Sequence, residues 1–497
     1  MTINTIGSTS NQTVQQLMNM RSQFDDLQRQ LSTGQKSDTY AGLGLDRGLA
    51  VSLNAQSAAI GSYDTTIDNV TTRLNVVQSA LTAMGSVATS MRSSLIQGTG
   101  SAGTTNTTQV DAQSWLQQLI GLLNTQAGDR YVFSGRATDQ PATESYDHII
   151  NGDGAKDGLA TIISQRNQAD IGASGLGRLV VSAPTTTSVQ LDEDSATSPF
   201  GFKLNAISSS LSNASVSGPS GSPLSESVAF TGVPAAGESV TFTFNLPDGT
   251  TSNLTLKATT NSPPSANEFT IGGTAAATAS NLQSSLTTAL GTLANTDLKA
   301  ASAVQASNEF FDADSSNPPL RVSGTPATST SLVAGTSANS VIWYTGEVAA
   351  DPARSSASAR IDQSLTVNYG TRASETGIRN LVQSVATRAA MAVSPSDPNY
   401  ANLVASLDNR LTGNINGSGG VQTVTDIEAD LAGVQTSLQS MKTNHAQVTS
   451  TLGSFLDQIQ GVSNEQVGTQ LLALQTRMQA SMQTTALMYK ISLVNYL

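Results

Sequence analysis

Residues 60–95 read IGSYDTTIDNVTTRLNVVQSALTAMGSVATSMRSSL. Ile60, Tyr63, Ile67, Val70, Leu74, Val77, Leu81, Met84, Ala88, Met91 and Leu95 are separated by steps of three and four in strict alternation. An α-helix with that spacing carries one narrow apolar seam, and a run of about five heptads is the signature of a coiled-coil-like helix. A seam this narrow cannot enclose a core by itself, so it requires a partner helix.

The partner pattern lies at the other end of the chain. Ile427, Leu431, Val434, Leu438, Met441, His445, Val448, Leu452, Phe455, Ile459 and Val462 repeat the alternation without a slip. The stretch Gly461–Asn464 interrupts it, and Val467, Leu471, Leu474 and Met478 resume it toward a tail, KISLVNYL, that is apolar at Leu493, Tyr496 and Leu497. At the front, Leu17, Met20, Phe24, Leu27 and Leu31 form a shorter seam, with Gly34 as its expected C-cap. Further helices are expected at 110–125, 373–393 and 399–411. Together, the seam residues from Leu17 to Leu31, Val70 to Met84, Leu438 to Ile459 and Leu471 to Leu497 are the expected assembly interface.

The middle follows a different period. Residues 239–257, SVTFTFNLPDGTTSNLTLK, alternate apolar and polar around Pro247-Asp248-Gly249, which predicts a β-hairpin. Residues 268–271 predict another strand and 281–293 a short amphipathic helix. The expected fold class is α+β: long antiparallel terminal helices in a coiled-coil-like bundle, a β-hairpin region and an inserted β-rich outer domain. The expected boundaries are 1–130 for an N-terminal helical assembly domain, 131–190 for a hairpin and loop region, 191–345 for the outer domain and 346–497 for a C-terminal helical assembly domain. This layout places the first and last thirds side by side, with the middle at the far tip.

Composition narrows the functional classes. Charged residues are 12% and aromatics 4% of 497 residues, against about 25% charged in an average globular chain. Such a chain has few large anchors and gains little burial per residue. There are no cysteines, so disulfides, thiolate metal sites and a cysteine nucleophile are excluded. The N-terminus lacks the basic and apolar regions of a Sec-type signal peptide, and no apolar stretch reaches the about 18 residues of a membrane span. The net charge of −12 disfavours nucleic acid and anionic lipid as partners. Residues 191–345 hold 11 acids against 4 bases, so −7 of that −12 lies in the middle. Near-neutral ends suit contacts with other chains, and an acidic middle suits water.

No catalytic constellation emerges. His148, beside Tyr146 and Asp147, reads as a loop histidine with no nucleophile to serve. His445 falls on the helical seam without a second ligand at helical spacing, so it reads as a satisfied polar seam position. Asn151–Asp157 and Asp312–Asp314 are fragments of calcium-loop patterns and read as turns. Gly172–Gly177 follows no strand of a βαβ unit, which argues against nucleotide binding. The reading is therefore a non-enzyme with no cofactor and no metal.

Two motifs carry a family resemblance. One is Leu31-Ser-Thr-Gly-Gln-Lys36. The other is Gly128-Asp-Arg-Tyr-Val-Phe-Ser-Gly-Arg-Ala-Thr-Asp-Gln-Pro-Ala142, read as a strand with Tyr131 and Phe133 alternating and Gly135 turning it. With the paired terminal heptads, they resemble the flagellin superfamily, and most closely its hook–filament junction branch (hook-associated protein 3). Residues 361–391, containing NYGTRASETGIRNLVQ, are similar to the segment where that branch re-enters its C-terminal helices. The resemblance covers about 1–190 and 350–497. Ser37-Asp-Thr-Tyr-Ala-Gly42 departs from the family pattern, which often has an Asp-Asp pair there.

The resemblance implies a structural, motility-related component of the bacterial flagellum that joins hook to filament. It implies secretion through the flagellar type III export apparatus without a cleaved signal, and self-assembly outside the cell as a ring or helical homo-oligomer. The implied partners are further copies of the chain, a hook-side junction protein, flagellin and an export chaperone. On this reading the tail is covered by Leu17–Leu31 and by neighbouring subunits, and is uncovered and disordered in the free monomer. The alternatives are a filament-forming flagellin and, from a different class, an adhesin or binding module carried by the middle of the chain. Against the adhesin, no aromatic cluster marks a binding site in the sequence.

Overall fold

The computed structural model describes residues 3–98, 105–417 and 420–494. The chain begins with α1 (Ile3–Thr33), a 3-10 segment (Tyr40–Asp46), α2 (Arg47–Gly98) and α3 (Thr105–Leu123). A short pair, β1 (Gln126–Ala127) and β2 (Arg130–Tyr131), leads to α4 (Tyr146–Asn151) and α5 (Leu159–Ile171). Then come β3 (Leu179–Ser182), β4 (Ser188–Glu193), β5 (Lys203–Ser209), β6 (Ala214–Ser220), β7 (Ser225–Phe230), β8 (Ser239–Asn245), β9 (Thr251–Thr259) and β10 (Glu268–Thr270). α6 (Ala275–Leu293) passes through a π-helical turn (Ala294–Leu298) into α7 (Lys299–Phe311). The strands β11 (Leu320–Val322), β12 (Leu332–Ala334), β13 (Ser358–Arg360) and β14 (Thr366–Asn368) precede α8 (Thr376–Ala390), α9 (Tyr400–Ile415), α10 (Val424–Gln460) and α11 (Asn464–Val494). The fold is α+β, with long terminal helices as the seams require.

The chain divides into two compact units. The first comprises Met1–Val70, Ala359–Thr366 and Thr436–Leu497. In it α1 packs along α11, and the first half of α2 meets the second half of α10. His445 Nδ1 lies 2.7 Å from Asp64 Oδ1, and Lys442 pairs with Asp68. As residue number rises along α2 it falls along α10, so the two helices are antiparallel.

The second unit comprises Thr71–Ser358 and Val367–Gln435. Here α2 and α10 continue the same antiparallel register: Gln435 Nε2 donates to Asn75 Oδ1, and Gln78 Nε2 donates to the Glu428 carbonyl. The seam beneath them is buried, with Leu74, Val77, Leu81 and Met84 of α2 facing the interior together with Ile427 and Leu431 of α10. Each such side chain contributes about 1.5–3 kcal/mol by burial.

The β-rich part of this unit holds two four-stranded sheets. One runs β3-β4-β7-β6, all antiparallel; the other runs β10-β9-β8-β5, with only β9–β10 parallel. The hairpin expected at 239–257 is β8–β9. Its alternation sends Val240, Phe242 and Phe244 into a core shared with Val189, Val228 and Phe230 of the other sheet and with Leu282, Leu286 and Leu290 of α6. On the opposite face, the hydroxyls of Thr241 and Thr255 bond across the strands at 2.8 Å. α6 begins before the expected Asn281, because the Thr274 side chain caps it by accepting from the Ala277 N–H.

Among the described residues, the structure adds α4, α5 and α7 to the expected helices. α7 is buried nearly all round at small residues, including Ala300, Ala301, Ser302, Ala303 and Ala306, so it lacks the one-sided pattern that marks a surface helix. It packs against α5, α8 and α9. The hairpin turn is also held from outside its own strands: Asp248 pairs with Arg410 of α9 at 3.1 Å. Asp297, in the π turn, accepts from the hydroxyls of Ser252 on β9 and Ser406 on α9, both at 2.7 Å.

Arg388 of α8 and Asp408 of α9 form a buried ion pair at 3.3 Å. Burial pushes the Asp408 carboxyl up to about 6 in spite of the guanidinium beside it. Removing one partner leaves an uncompensated buried charge. Arg388→Met alone is expected to cost about 3–5 kcal/mol in chemical denaturation. The double variant Arg388→Met/Asp408→Leu should recover most of that loss.

Candidate assembly interface

The motif Leu31–Lys36 ends α1 and fastens it to a distant segment. α1 stops at Thr33, and Gly34 takes φ +69°, a left-handed conformation that suits glycine, with its N–H donating to the Gln30 carbonyl at 2.8 Å. From there the backbone pairs antiparallel with the turn between α10 and α11. Gln35 bridges to Gly461, the Lys36 N–H donates to the Gln460 carbonyl at 2.7 Å, and the Val462 N–H donates to the Gly34 carbonyl at 3.0 Å. The Lys36 Nζ then donates to the carbonyls of Ile459 at 2.8 Å and Gln458 at 3.2 Å. An ammonium at the end of α10 satisfies carbonyls that have no helical partner and complements the negative end of the helix dipole.

Gly461 is required for a different reason: a Cβ there would lie 2.4 Å from the Asp457 carbonyl oxygen. Since α1 ends and α11 begins at this clasp, the two run antiparallel along each other. The departure segment Ser37–Gly42 is held as well, with Asp38 accepting from Arg29 Nη1 at 3.1 Å.

The second motif is zipped onto the stretch that the resemblance paired with the C-terminal helices. Only Arg130–Tyr131 of it form a strand; Val132 and Phe133 lie in the bend that follows and are both buried. The segment beyond the bend pairs with residues 371–373. The Gly135 N–H donates to Thr371 O at 3.2 Å, the Ala373 N–H donates to Phe133 O at 2.8 Å, and Ser134 bridges to Arg372. Arg136 and Arg372 share the carboxylate of Glu347, and the Arg372 Nη1 also donates to the carbonyls of Ala349 and Asp351. Burial pushes the neighbouring Glu375 carboxyl up, with the Arg354 guanidinium opposing it. Each motif is thus a joint between segments remote in sequence.

The expected interface residues fall into three groups. Val70, Leu74, Val77, Leu81, Met84, Leu438, Leu452 and Leu474 are buried within the chain. Leu17, Met20, Phe24, Leu27, Met441, Ile459, Leu471 and Met478 are half-buried. Leu31, Val448 and Phe455 are exposed. Leu493 lies in α11 with its side chain outside the description, and Tyr496 and Leu497, with the fate expected for the tail, lie outside the described residues.

Residues that the periodicity passed over add to the exposed group: Met18, Leu49, Leu472 and Leu487 are more than half exposed, and Leu45 is 103% exposed. Leu45 follows Gly44 in the 3-10 segment, where no helical period marks it.

His445 is 4% exposed, with Nδ1 on Asp64 and Nε2 3.8 Å from Asp362 Oδ1. His148 is exposed but lies in α4 and not in the expected loop, its Nδ1 3.0 Å from Glu144. Asp153 and Asp314 accept from backbone N–H groups of their own loops, as turn residues do. Gly172–Gly177 follows the C-terminal end of α5, and a Cβ on Gly177 would strike the Phe202 ring. Phe310, Phe311, Trp343 and Tyr344 form an aromatic cluster that is buried core. Among the described residues, no three His, Asp or Glu side chains are grouped to hold a metal, and no helix is long and apolar enough to cross a membrane.

Residues 3–138 match the family described as the bacterial flagellin N-terminal helical region. The match supports the flagellin superfamily. No curated protein matches the chain. The match spans α1, α2, α3 and the Tyr131–Gly135 segment, so it includes one side of both joints. It supports a flagellar structural component, since the family is structural, extracellular and self-assembling.

Gly34→Ala should destabilise the clasp by about 1–2 kcal/mol, the cost of a Cβ in the left-handed region. Lys36→Met should lower amide protection at Lys36 and Val462, and Lys36→Arg should retain it. Unchanged hydrogen exchange in Lys36→Met would show that the ammonium contributes nothing to the joint.

Proposed function

We propose that this chain is a structural protein of the flagellar hook–filament junction, working by interlocked helical seams with no reaction and no cofactor. The observation that carries the assembly reading is the set of apolar side chains left exposed on the first unit. Met18, Leu31, Phe455, Leu472 and Leu487 lie on helices that carry the seam pattern, and Leu45 on the 3-10 segment after α1, yet among the described residues nothing covers them. Large apolar side chains exposed on packed helices are what an assembly surface presents, and a second copy of this chain supplies a surface of the same character.

The partners on this reading are further copies of the chain, a hook-side junction protein and flagellin, with an export chaperone before secretion. Export is by the flagellar type III route without a cleaved signal. The terminal segments 1–130 and 346–497 are the assembly domains, 131–190 links them, and 191–345 is a solvated outer domain. The N-terminal family match accommodates a filament-forming flagellin equally, and the resemblance of Gly128–Ala142 is what favours the junction.

Electron microscopy of the purified protein, alone and seeded with short filament fragments, tests this. Binding confined to hook or filament ends, without long polymer, is expected. Long uniform filaments would make the chain a flagellin.

Two substitutions separate folding from assembly. Phe455, 48% exposed, should accept Asp without loss of the monomer fold while assembly falls at least tenfold. Leu452, 7% exposed, should not accept it, because an unpaired charge would be buried. Equal assembly by Phe455→Asp and wild type would remove Phe455 from the interface.

A further inference from the structure

One acid occupies a position in the outer sheets where an apolar residue is expected. Alternation along β7 sends Glu226, Val228 and Phe230 to the same, buried side. Val228 and Phe230 join the apolar core. Glu226 is 1% exposed, and neither carboxyl oxygen has a hydrogen-bond partner.

The surroundings offer nothing to neutralise it. β4 places Leu191 opposite Glu226. The charges on β4 are engaged elsewhere: Asp192 accepts from Gln190 Nε2 at 2.7 Å, and Glu193 accepts from Lys203 Nζ at 3.3 Å and from the Leu204 N–H at 3.0 Å. Lys203 is the titratable group of β5, while β3, β6 and α6 carry none. A carboxylate in such a place bears the full cost of desolvation, and burial pushes Glu226 up to about 7.

A route to water lies beside it. β6 is the edge strand of its sheet. Its ladder with β7 pairs Ser217 with Ser227 and then slips to Ser220 with Ser225. Gly218 and Pro219 are passed over, and Gly218 lies against Glu226: a Cβ on it would be 3.2 Å from Glu226 Cγ and 2.4 Å from the Ser225 carbonyl oxygen. Parting β6 from β7 at this slip, where the ladder is already interrupted, would open the carboxylate to water.

We infer that Glu226 is a proton-operated latch on the β6–β7 hairpin, closed over a neutral carboxyl and opened to solvent by its ionisation. The closed hairpin holds the proton more tightly than the open one. Opening is therefore least at or below the ordinary glutamate range, grows as pH rises toward about 7, and levels off above that.

Hydrogen exchange of the full-length protein, corrected for intrinsic rates, tests the latch. Amides of residues 214–230 should lose roughly fifty-fold in protection between pH 5 and pH 8, while those of β8 and β9 change little. Glu226→Gln should hold the pH 5 protection at both values, and Glu226→Leu should do the same without any polar group. A pH-independent pattern in the wild type, or the same loss in both variants, would overturn the proposal. So would a carbon-13 titration placing the Glu226 carboxyl in the ordinary glutamate range.

Discussion

A single narrow stripe of apolar residues cannot be buried by the helix that carries it. That constraint organises the long helices. α2 and α10 each present a seam of alternating three- and four-residue steps, and each meets the other in antiparallel register. Polar side chains set that register. Asp64 with His445 and Asp68 with Lys442 serve the first unit, and Asn75 with Gln435 and Gln78 with the Glu428 carbonyl serve the second. The apolar seam supplies burial energy without direction, and the hydrogen bonds supply direction at small net energy.

The two motifs that carry the family resemblance turn out to be joints. Their residues are those a joint requires: a glycine at positive φ to leave the helix, a second glycine at positive φ packed against Glu347, and a cation at the end of a helix. The Lys36 ammonium on the Gln458 and Ile459 carbonyls and the Gly135–Thr371 pairing both connect segments hundreds of residues apart. Such contacts are made largely by backbone groups, which every sequence carries, so only the residue types that permit the geometry leave a trace in the sequence.

Legibility varied with the kind of burial. Long seams and the β8–β9 hairpin were readable because one face is apolar and the other polar, so periodicity reports the orientation. α7 was not readable: it is enclosed by α5, α8 and α9, and its small residues face neighbours on all sides. Leu45 escaped notice because a 3-10 segment imposes no apolar period. The alternation of Tyr131 and Phe133 failed because the strand ends at Tyr131 and the chain bends at Val132 and Phe133, so the period of two no longer applies. Glu226 is polar by identity but in phase with Val228 and Phe230, so the alternation of β7 puts an acid on the inward face.

The sequence alone determined the α+β class, the paired terminal helices and their approximate limits, the hairpin turn and the absence of cysteine chemistry. These follow from local periodicity, capping residues and composition, which act over a few turns of chain. Tertiary structure decided which carbonyls Lys36 meets, which carboxylate His445 meets and which seam residues remain exposed. Those outcomes depend on the separation of groups far apart in the chain, and that separation is set by how whole helices pack.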